Sequence, residues 1–238
     1  MDEAGLDRPG STLQRDLGTK LVQGALTGVI CGAIYHGLQQ VHVFPAHLRS
    51  DCLSWRLLPF YDLWIWPYAS MSLLVGLAWI MVPDAAAVYR FRRYLLAVSV
   101  AGWMGFFLYP TVCSRSGIVS HSQLYQWLIL ADAPTNCFPC LHAALTVLAT
   151  AVLVRHTGGP GRFVCSGVLI LWMTIILVSI LALRQHTGID VAIGSSLGGV
   201  AAAFYVKRRP RAGSIFPSLA EAQPSGRKWA KGAGLNTP

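Results

Sequence analysis

Two histidines and an aspartate supply the groups that nucleophilic chemistry needs, at the starts of two apolar segments. His186 and Asp190 lie four residues apart at the start of one segment, and His142 lies at the start of another. Residues four apart share a face of a helix, so we expect the Asp190 carboxylate to hold one imidazole nitrogen of His186 and leave the other free to attack. Ionisable groups are rare in apolar helices unless they are used, so the pattern predicts a catalytic site.

Further residues near these histidines suit a phosphate group. Pro139 is predicted at the first position of a helix, whose free amides and positive dipole end attract phosphate. His142, almost one turn later, is a candidate acid for protonating a leaving oxygen. Arg115 and Arg184 carry guanidinium groups that can bind the equatorial oxygens of a phosphoryl group in transfer. Nothing in this set calls for a metal ion, so we expect no cofactor.

The composition predicts that these residues belong to a membrane protein. Hydrophobic residues make up 54% and charged residues 12% of the 238 residues, and the mean hydropathy is +0.50. Crossing a bilayer takes about 20 apolar residues. The predicted fold class is therefore an all-α bundle of six transmembrane helices, at roughly 21–44, 63–82, 94–111, 139–154, 163–183 and 187–206.

The chain divides into three parts by composition. A polar cytoplasmic N-terminus (1–20) precedes the six-helix membrane domain (21–207), and a basic tail rich in Pro, Gly and Ser (208–238) is predicted to be disordered. The first span includes Tyr35 and Gln39, so it is expected either to turn a polar side toward the bundle or to lie at the interface.

Two other local patterns predict how the helices meet. Apolar residues from Leu124 to Leu130, in the connection between the third and fourth spans, predict a short helix on the outer surface that roofs the site. Gly194, Gly198 and Gly199 in the last span are expected to allow close helix packing.

The distribution of basic residues predicts the orientation in the membrane. The net charge is +9, and on one side the connections carry Arg15, Lys20, Arg90, Arg92, Arg93, Arg155 and Arg162, followed by the basic tail. The opposite connections carry Arg49, Arg56, Arg115 and Arg184. The positive-inside rule then places both termini in the cytoplasm and both candidate histidines at the periplasmic or extracellular face of an inner or plasma membrane. The tail is predicted to contact anionic lipid and not nucleic acid.

The remaining cysteines, histidines and aromatic residues are assigned structural roles. Cysteines on the predicted outer side could form disulfides, although the pairing cannot be deduced: Cys52, Cys113, Cys137 and Cys140. The Cys137 to Cys140 spacing occurs in zinc and redox sites, but no second cysteine pair accompanies it. Packed or interfacial positions are expected for His36, His42, His47, His121 and His156, and an aromatic belt for Trp64, Trp66 and Tyr68.

With these residues in view, the chain resembles the type 2 phosphatidate phosphatase superfamily. The segment from Pro139 to His142 is similar to the family's Pro-Ser-Gly-His element, and the segment through Arg184, His186 and Asp190 is similar to its third element. The resemblance implies a six-helix membrane core, a phosphohistidine formed on His186 with support from Asp190, and His142 as the acid that protonates the leaving group.

Finer features are similar to the branch that contains inositol phosphorylceramide synthases: Pro59-Phe60, Trp66-Pro67-Tyr68, and Tyr109-Pro110-Thr111 followed by Arg115. The sequence also departs from the family. Its first element, a lysine followed by Arg-Pro, is not found, so the phosphate-binding role of Arg115 rests on position and charge. Cys140 stands where serine is usual, and a thiol is a weaker hydrogen-bond donor for phosphate. Ile180 replaces an arginine, which leaves Arg184 to bind phosphate.

Several functions are consistent with these residues. The first is a lipid phosphatase at the outer face, acting on a membrane lipid phosphate or diphosphate. A lipid phosphotransferase would use the same residues and pass the head group to a lipid alcohol. A haem-binding protein would use His142 and His186 as axial ligands, and an inactive relative would only bind lipid. The oligomeric state is left open.

Overall fold

The structure is a computed structural model. It describes residues 9–41, 43–49, 57–115, 118, 120 and 122–207, and for 9–16 only the backbone. Outside these residues lie the predicted disordered tail, the first eight positions of the chain, Cys52, Arg56, His42 and His121. The helices among the described residues are α1 (Pro9–Leu38), α2 (Ile65–Met81), α3 (Ala85–Leu108), α4 (Gln123–Ala131), α5 (Leu141–His156), α6 (Arg162–Ala182) and α7 (Gly188–Lys207).

Apolar helices that are long enough to cross a bilayer show that this is a mostly helical membrane protein. Four segments meet both the length and the hydropathy that a span requires: Leu17–Leu38, Asp62–Met81, Arg162–Ala182 and Gly188–Lys207. The other two predicted spans correspond to α3 and α5. The first turns of α3 contain three arginines, and α5 has only 16 residues, so the crossing of the membrane by these two helices stays a prediction.

Local sequence explains where the helices near the site begin. Asp84 caps α3 by accepting a hydrogen bond of 2.7 Å from the amide of Ala87. Ser122 caps α4 through the amide of Tyr125, so the short helix predicted in the connection before α5 is present. α1 begins at Pro9, well before the predicted start of the first span, because the polar residues there continue the helix.

A small parallel sheet, which the sequence did not predict, joins the connection that follows α1 to the connection that follows α3. β1 (His47–Arg49) pairs with β2 (Thr111–Cys113), and Val112 forms a further antiparallel bridge with Thr135. Strands of three residues are too short to show an alternating hydrophobic pattern, so no sequence signal announces them. Their effect is to hold the residues before α5 in place, as in the 2.9 Å hydrogen bond from the Phe138 amide to the Thr111 hydroxyl.

α5 lies at the centre of the bundle and packs most closely on α7. A side chain at Gly194 would collide with the carbonyl of Cys140, and one at Gly198 would collide with the carbonyl of Ala144. These two glycines therefore allow the close packing that the sequence predicted. Gly199 does not, because a Cβ atom there would meet nothing within 4 Å. The approach of the two helices brings the start of α5 beside the start of α7.

Candidate functional site

His186 lies in the turn before α7 and not in the helix itself. The preceding helix, α6, ends at Ala182 with Leu183 as its C-cap, and Arg184 reverses the chain with a φ of 54°, in the left-handed region that usually favours glycine. His186 is 3% exposed, and its Nδ1 lies 2.9 Å from the carbonyl oxygen of Cys137. Because a carbonyl only accepts, Nδ1 carries the proton, and the lone pair of the ring is on Nε2.

The predicted hydrogen bond between His186 and Asp190 is wrong in its geometry. Asp190 Oδ2 accepts bonds of 2.8 Å from the amide and 2.7 Å from the hydroxyl of Thr187, and the Asp190 amide lies 3.4 Å from that hydroxyl. This is a capping box at the start of α7. The argument from helical spacing failed because the helix begins at Gly188, two residues after His186. The Cys137 carbonyl takes the orienting role, and Asp190 fixes the turn that carries the histidine.

His142 lies beside His186, as the sequence predicted for the two candidate histidines. The ring centroids are 5.7 Å apart and the ring planes are inclined by 57°. Nε2 of His142 lies 3.0 Å from the Tyr68 hydroxyl oxygen. Its Nδ1 is buried and has no hydrogen-bond partner among the residues that the structure describes. Each ring therefore has one nitrogen fixed by the protein and one available for chemistry.

Asp132 is a functional candidate that the sequence analysis missed. It follows α4 and is 9% exposed, and its carboxylate joins three helices. Oδ1 accepts hydrogen bonds of 2.6 Å from the Tyr35 hydroxyl and 3.2 Å from the Gln39 amide, while Oδ2 accepts one of 2.9 Å from the Tyr68 hydroxyl. Tyr68 is therefore part of a buried polar network and not of an aromatic belt. The signal was present in Tyr35, in the last turn of α1, and Gln39, four residues later and directly after the helix, whose side chains reach the same carboxylate.

The charges of Asp132 and His186 follow from their surroundings. Burial alone would raise the pKa of Asp132, but attraction to His142 and the hydrogen bond from Tyr35 outweigh it, so the pKa is lowered and the group is a carboxylate. Burial, with repulsion from His142 as the next contribution, lowers the pKa of His186 to about 4. His186 is consequently neutral at pH 7, the state in which its Nε2 lone pair can attack.

Arg115 links the end of α4 to the turn that carries His186. Its Nη2 donates 2.8 Å to the carbonyl of Asp132 and 2.6 Å to Oε1 of Gln185. Its Nε and Nη1 are buried without hydrogen-bond partners in the described part of the chain. Buried donors of this kind are costly unless a ligand uses them. The positive charges of Arg115 and Arg184 both act on the hydroxyl of Tyr125. The two guanidinium groups therefore lie near the same ring.

Cys140 is the N-cap of α5. Its sulfur accepts a 3.4 Å hydrogen bond from the amide of Ala143, and burial raises the pKa of the thiol, so it stays protonated. The sulfur and one ring nitrogen each of His142 and His186 lie within 4.8 Å of one another, a set that could bind a metal ion. The protonated thiol and the bond between His142 and Tyr68 oppose this use. Cys113, Cys137 and Cys140 are free thiols in the structure.

An apolar cavity of about 550 Å³ lies between α1, α2, α3 and α5. Its walls are mainly apolar side chains and glycines, and its polar end is formed by Tyr35, Tyr68, Asp132 and His142. His142 lies on the cavity wall, and His186 does not line the cavity although its ring centroid is 5.7 Å from that of His142. The site therefore joins a space suited to a hydrocarbon chain to a pair of histidines.

No known protein family, no curated protein and no solved structure matches this chain. The site itself combines a neutral imidazole on His186, a second imidazole on His142, and buried cationic donors on Arg115.

Proposed function

We propose that the protein is an integral membrane enzyme that cleaves a phosphoester or diphosphate bond of a lipid through a phosphohistidine on His186, without a metal ion. The observation that carries this proposal is the pairing of two adjacent imidazoles, each with one nitrogen held by the protein and the other without a hydrogen-bond partner in the described part of the chain. Such a pair supplies a nucleophile and an acid on opposite sides of one phosphorus atom.

The first step forms a bond between Nε2 of His186 and phosphorus while the bond from phosphorus to the lipid oxygen breaks. His142 in its protonated form gives the Nδ1 proton to that oxygen, so the lipid leaves as an alcohol or a phosphate. The phosphorylated His186 ring carries a positive charge, which is stabilised by the hydrogen bond that its Nδ1–H donates to the Cys137 carbonyl. The Nε–H and Nη1–H of Arg115, which have no hydrogen-bond partner among the described residues, would stabilise the equatorial oxygens.

The second step returns the enzyme to its starting state. Water attacks phosphorus, Nδ1 of His142 takes one proton from that water, and the bond to His186 Nε2 breaks to release inorganic phosphate. The same atoms operate in reverse order, so His142 changes from acid to base between the two steps.

The cavity supports a lipid as the substrate and indicates which part of it leaves. His142, the acid for the leaving oxygen, lies on the cavity wall. A hydrocarbon chain in the cavity would therefore belong to the leaving lipid, while the transferred phosphoryl group lies toward His186.

The proposal includes six spans, cytoplasmic termini and a site at the outer face. Contacts at the opposite end of the bundle from His186 support this orientation, because they gather basic residues there. Lys20 donates 2.7 Å to the carbonyl of Val82 at the end of α2, and the Arg90 guanidinium lies 5.4 Å from the centre of the Tyr205 ring at the end of α7. A cationic end of this kind is typical of the cytoplasmic side.

A lipid phosphotransferase is the second candidate, favoured by the same cavity, since a lipid alcohol could occupy it and replace water in the second step. A haem protein is disfavoured by the 3.0 Å contact between His142 Nε2 and Tyr68, which occupies a nitrogen that iron would need unless Nδ1 binds it. A Soret band in the visible spectrum of the purified protein would restore that alternative.

The test is incubation of the purified protein with vesicles that contain a phospholipid labelled in its phosphate, with and without diacylglycerol or ceramide. Release of labelled inorganic phosphate, resistant to a metal chelator and blocked by vanadate, supports the phosphatase. Label that appears only in a new lipid, and only with an acceptor, supports the transferase. Label that stays in the starting lipid under all conditions contradicts both.

A further inference from the structure

We infer that Asp132 and Tyr68 are positioning residues that fix the proton of neutral His142 on Nε2 and so direct its Nδ1 at the reacting oxygen. The inference rests on the proposed function for its catalytic meaning. Its structural part, the position of one proton, can be measured without any turnover.

The Asp132 carboxylate can only accept hydrogen bonds in its ionised state. Each neighbour of its two oxygens must therefore donate, and the Tyr35 hydroxyl, the Gln39 amide and the Tyr68 hydroxyl can all do so. The network is fully satisfied only when Asp132 carries its charge, which agrees with the lowered pKa that its surroundings impose.

The single proton of the Tyr68 hydroxyl decides the next contact. That proton is donated to Asp132 Oδ2 at 2.9 Å, so the Tyr68 oxygen can only accept at its 3.0 Å contact with His142 Nε2. His142 must then donate from Nε2. In the neutral ring this leaves the lone pair on Nδ1, the buried atom with no hydrogen-bond partner in the described chain.

The unpartnered Nδ1 points to a ligand because a buried acceptor without a partner is costly. When His142 is protonated, Nδ1–H becomes a donor, and the positive charge of the ring faces Asp132 through the Tyr68 hydroxyl. Asp132 and Tyr68 thus favour both states that the proposed cycle needs, the neutral ring with a base at Nδ1 and the cation with an acid there. Neither residue needs to touch the phosphate.

A direct test is the ¹⁵N NMR spectrum of the histidine rings in the full-length protein in detergent, assigned with His142→Gln. We expect His142 to show a protonated Nε2 and an unprotonated Nδ1 at neutral pH. Tyr68→Phe should remove that preference and give a mixture of both tautomers. A wild-type His142 with its proton on Nδ1 overturns the inference, whatever the protein catalyses.

The matched control is Tyr205→Phe. This change removes another tyrosine hydroxyl that contacts a histidine, since the Tyr205 oxygen lies 2.7 Å from His156 Nε2 at the other end of the bundle. We expect it to leave the tautomer of His142 unchanged. A Tyr205→Phe spectrum that shifts His142 as much as Tyr68→Phe does would attribute the effect to general loosening of the fold and contradict the inference.

Kinetics give the second readout. Asp132→Asn and Tyr68→Phe should slow cleavage of a lipid phosphate, whose alcohol needs a proton to leave, at least tenfold more than cleavage of an aryl phosphate, whose phenol leaves without one. Equal slowing of both substrates would overturn the positioning role while leaving the phosphatase proposal intact. If the wild-type protein cleaves neither substrate, the proposed function is contradicted, while the tautomer result is unaffected.

Discussion

The Nδ1 atom of His186 donates a 2.9 Å hydrogen bond to the main-chain carbonyl of Cys137, which lies 49 residues earlier in the chain. A main-chain carbonyl can only accept a hydrogen bond, so this contact keeps the proton on Nδ1 and the lone pair on Nε2. The orientation of the proposed nucleophile therefore depends on the fold around residues 134–140, which β2 and the start of α5 hold in place.

Removing the capping box at α7 tests how Asp190 acts. Asp190→Ala should lower the free energy of unfolding by about 1 kcal/mol, because the cap hydrogen bonds to Thr187 are lost. Thr187→Val removes the same hydroxyl contact. If Asp190 acts through the turn, Thr187→Val and Asp190→Ala should lower turnover by similar factors. Unfolding in detergent and initial rates measure the two effects. A Thr187→Val enzyme with full activity beside an inactive Asp190→Asn enzyme would instead assign Asp190 a direct role.

Arg115 should contribute to catalysis through Nε and Nη1, the two donors for which the described residues offer no hydrogen-bond partner. Arg115→Lys keeps the charge but loses the planar fork, and we expect kcat/KM to fall about a hundredfold. The matched control is Gln185→Leu, which removes the 2.6 Å contact to Nη2 but leaves Nε and Nη1 intact. Gln185→Leu should lower the free energy of unfolding and have a smaller effect on kcat/KM. Similar losses of kcat/KM in the two variants would mean that Arg115 is only a structural clamp.

Filling the cavity should discriminate long-chain from short-chain substrates. Gly32 lines the cavity, and an added Cβ would meet nothing within 4 Å, so Gly32→Leu introduces bulk without a clash. We expect KM to rise for long-chain lipid phosphates and to stay the same for a water-soluble phosphate ester. Gly167→Leu in α6 is the control, because its position is equally open and does not line the cavity. Equal kinetics of the two variants on long chains would place the substrate elsewhere.

Acid should destabilise the fold through His186 and Asp132. The folded-state pKa of His186 is about 4, below the ordinary value of 6.5, so the unfolded chain binds more protons between these values. The stability contributed by the neutral ring is complete above pH 6.5 and is lost as the pH falls toward 4, by about 3 kcal/mol in total. The lowered pKa of Asp132 acts in the same direction at lower pH.

The measurement is thermal unfolding at pH 7.5 and pH 4.5 for the wild type and His186→Gln. The variant should lose distinctly less stability between the two pH values, because glutamine does not titrate. An equal drop in both proteins would show that His186 is not a neutral buried group in the fold.

The sequence predicted the helices and the meeting of two histidines because both depend on local signals, namely apolar runs and the placement of charge. It failed at Asp190 because the argument assumed that the helix reaches His186, whereas the Thr187 cap starts it at Gly188. Asp132 and Tyr68 were missed because they meet across 64 positions of the chain, and no short-range pattern distinguishes such a tyrosine from one at the membrane interface. The strands were missed because three residues carry no periodicity.

The most direct measurement of the central claim is detection of phosphate covalently bound to His186. The purified protein is mixed with a phosphate-labelled lipid and quenched in alkali after milliseconds, and the label is traced to a peptide by mass spectrometry. We predict an acid-labile, alkali-stable phosphoryl group on His186, absent from His186→Gln and present in His47→Ala, whose exposed histidine lies in β1. Turnover with label on another residue, or full activity of His186→Gln, would contradict the account.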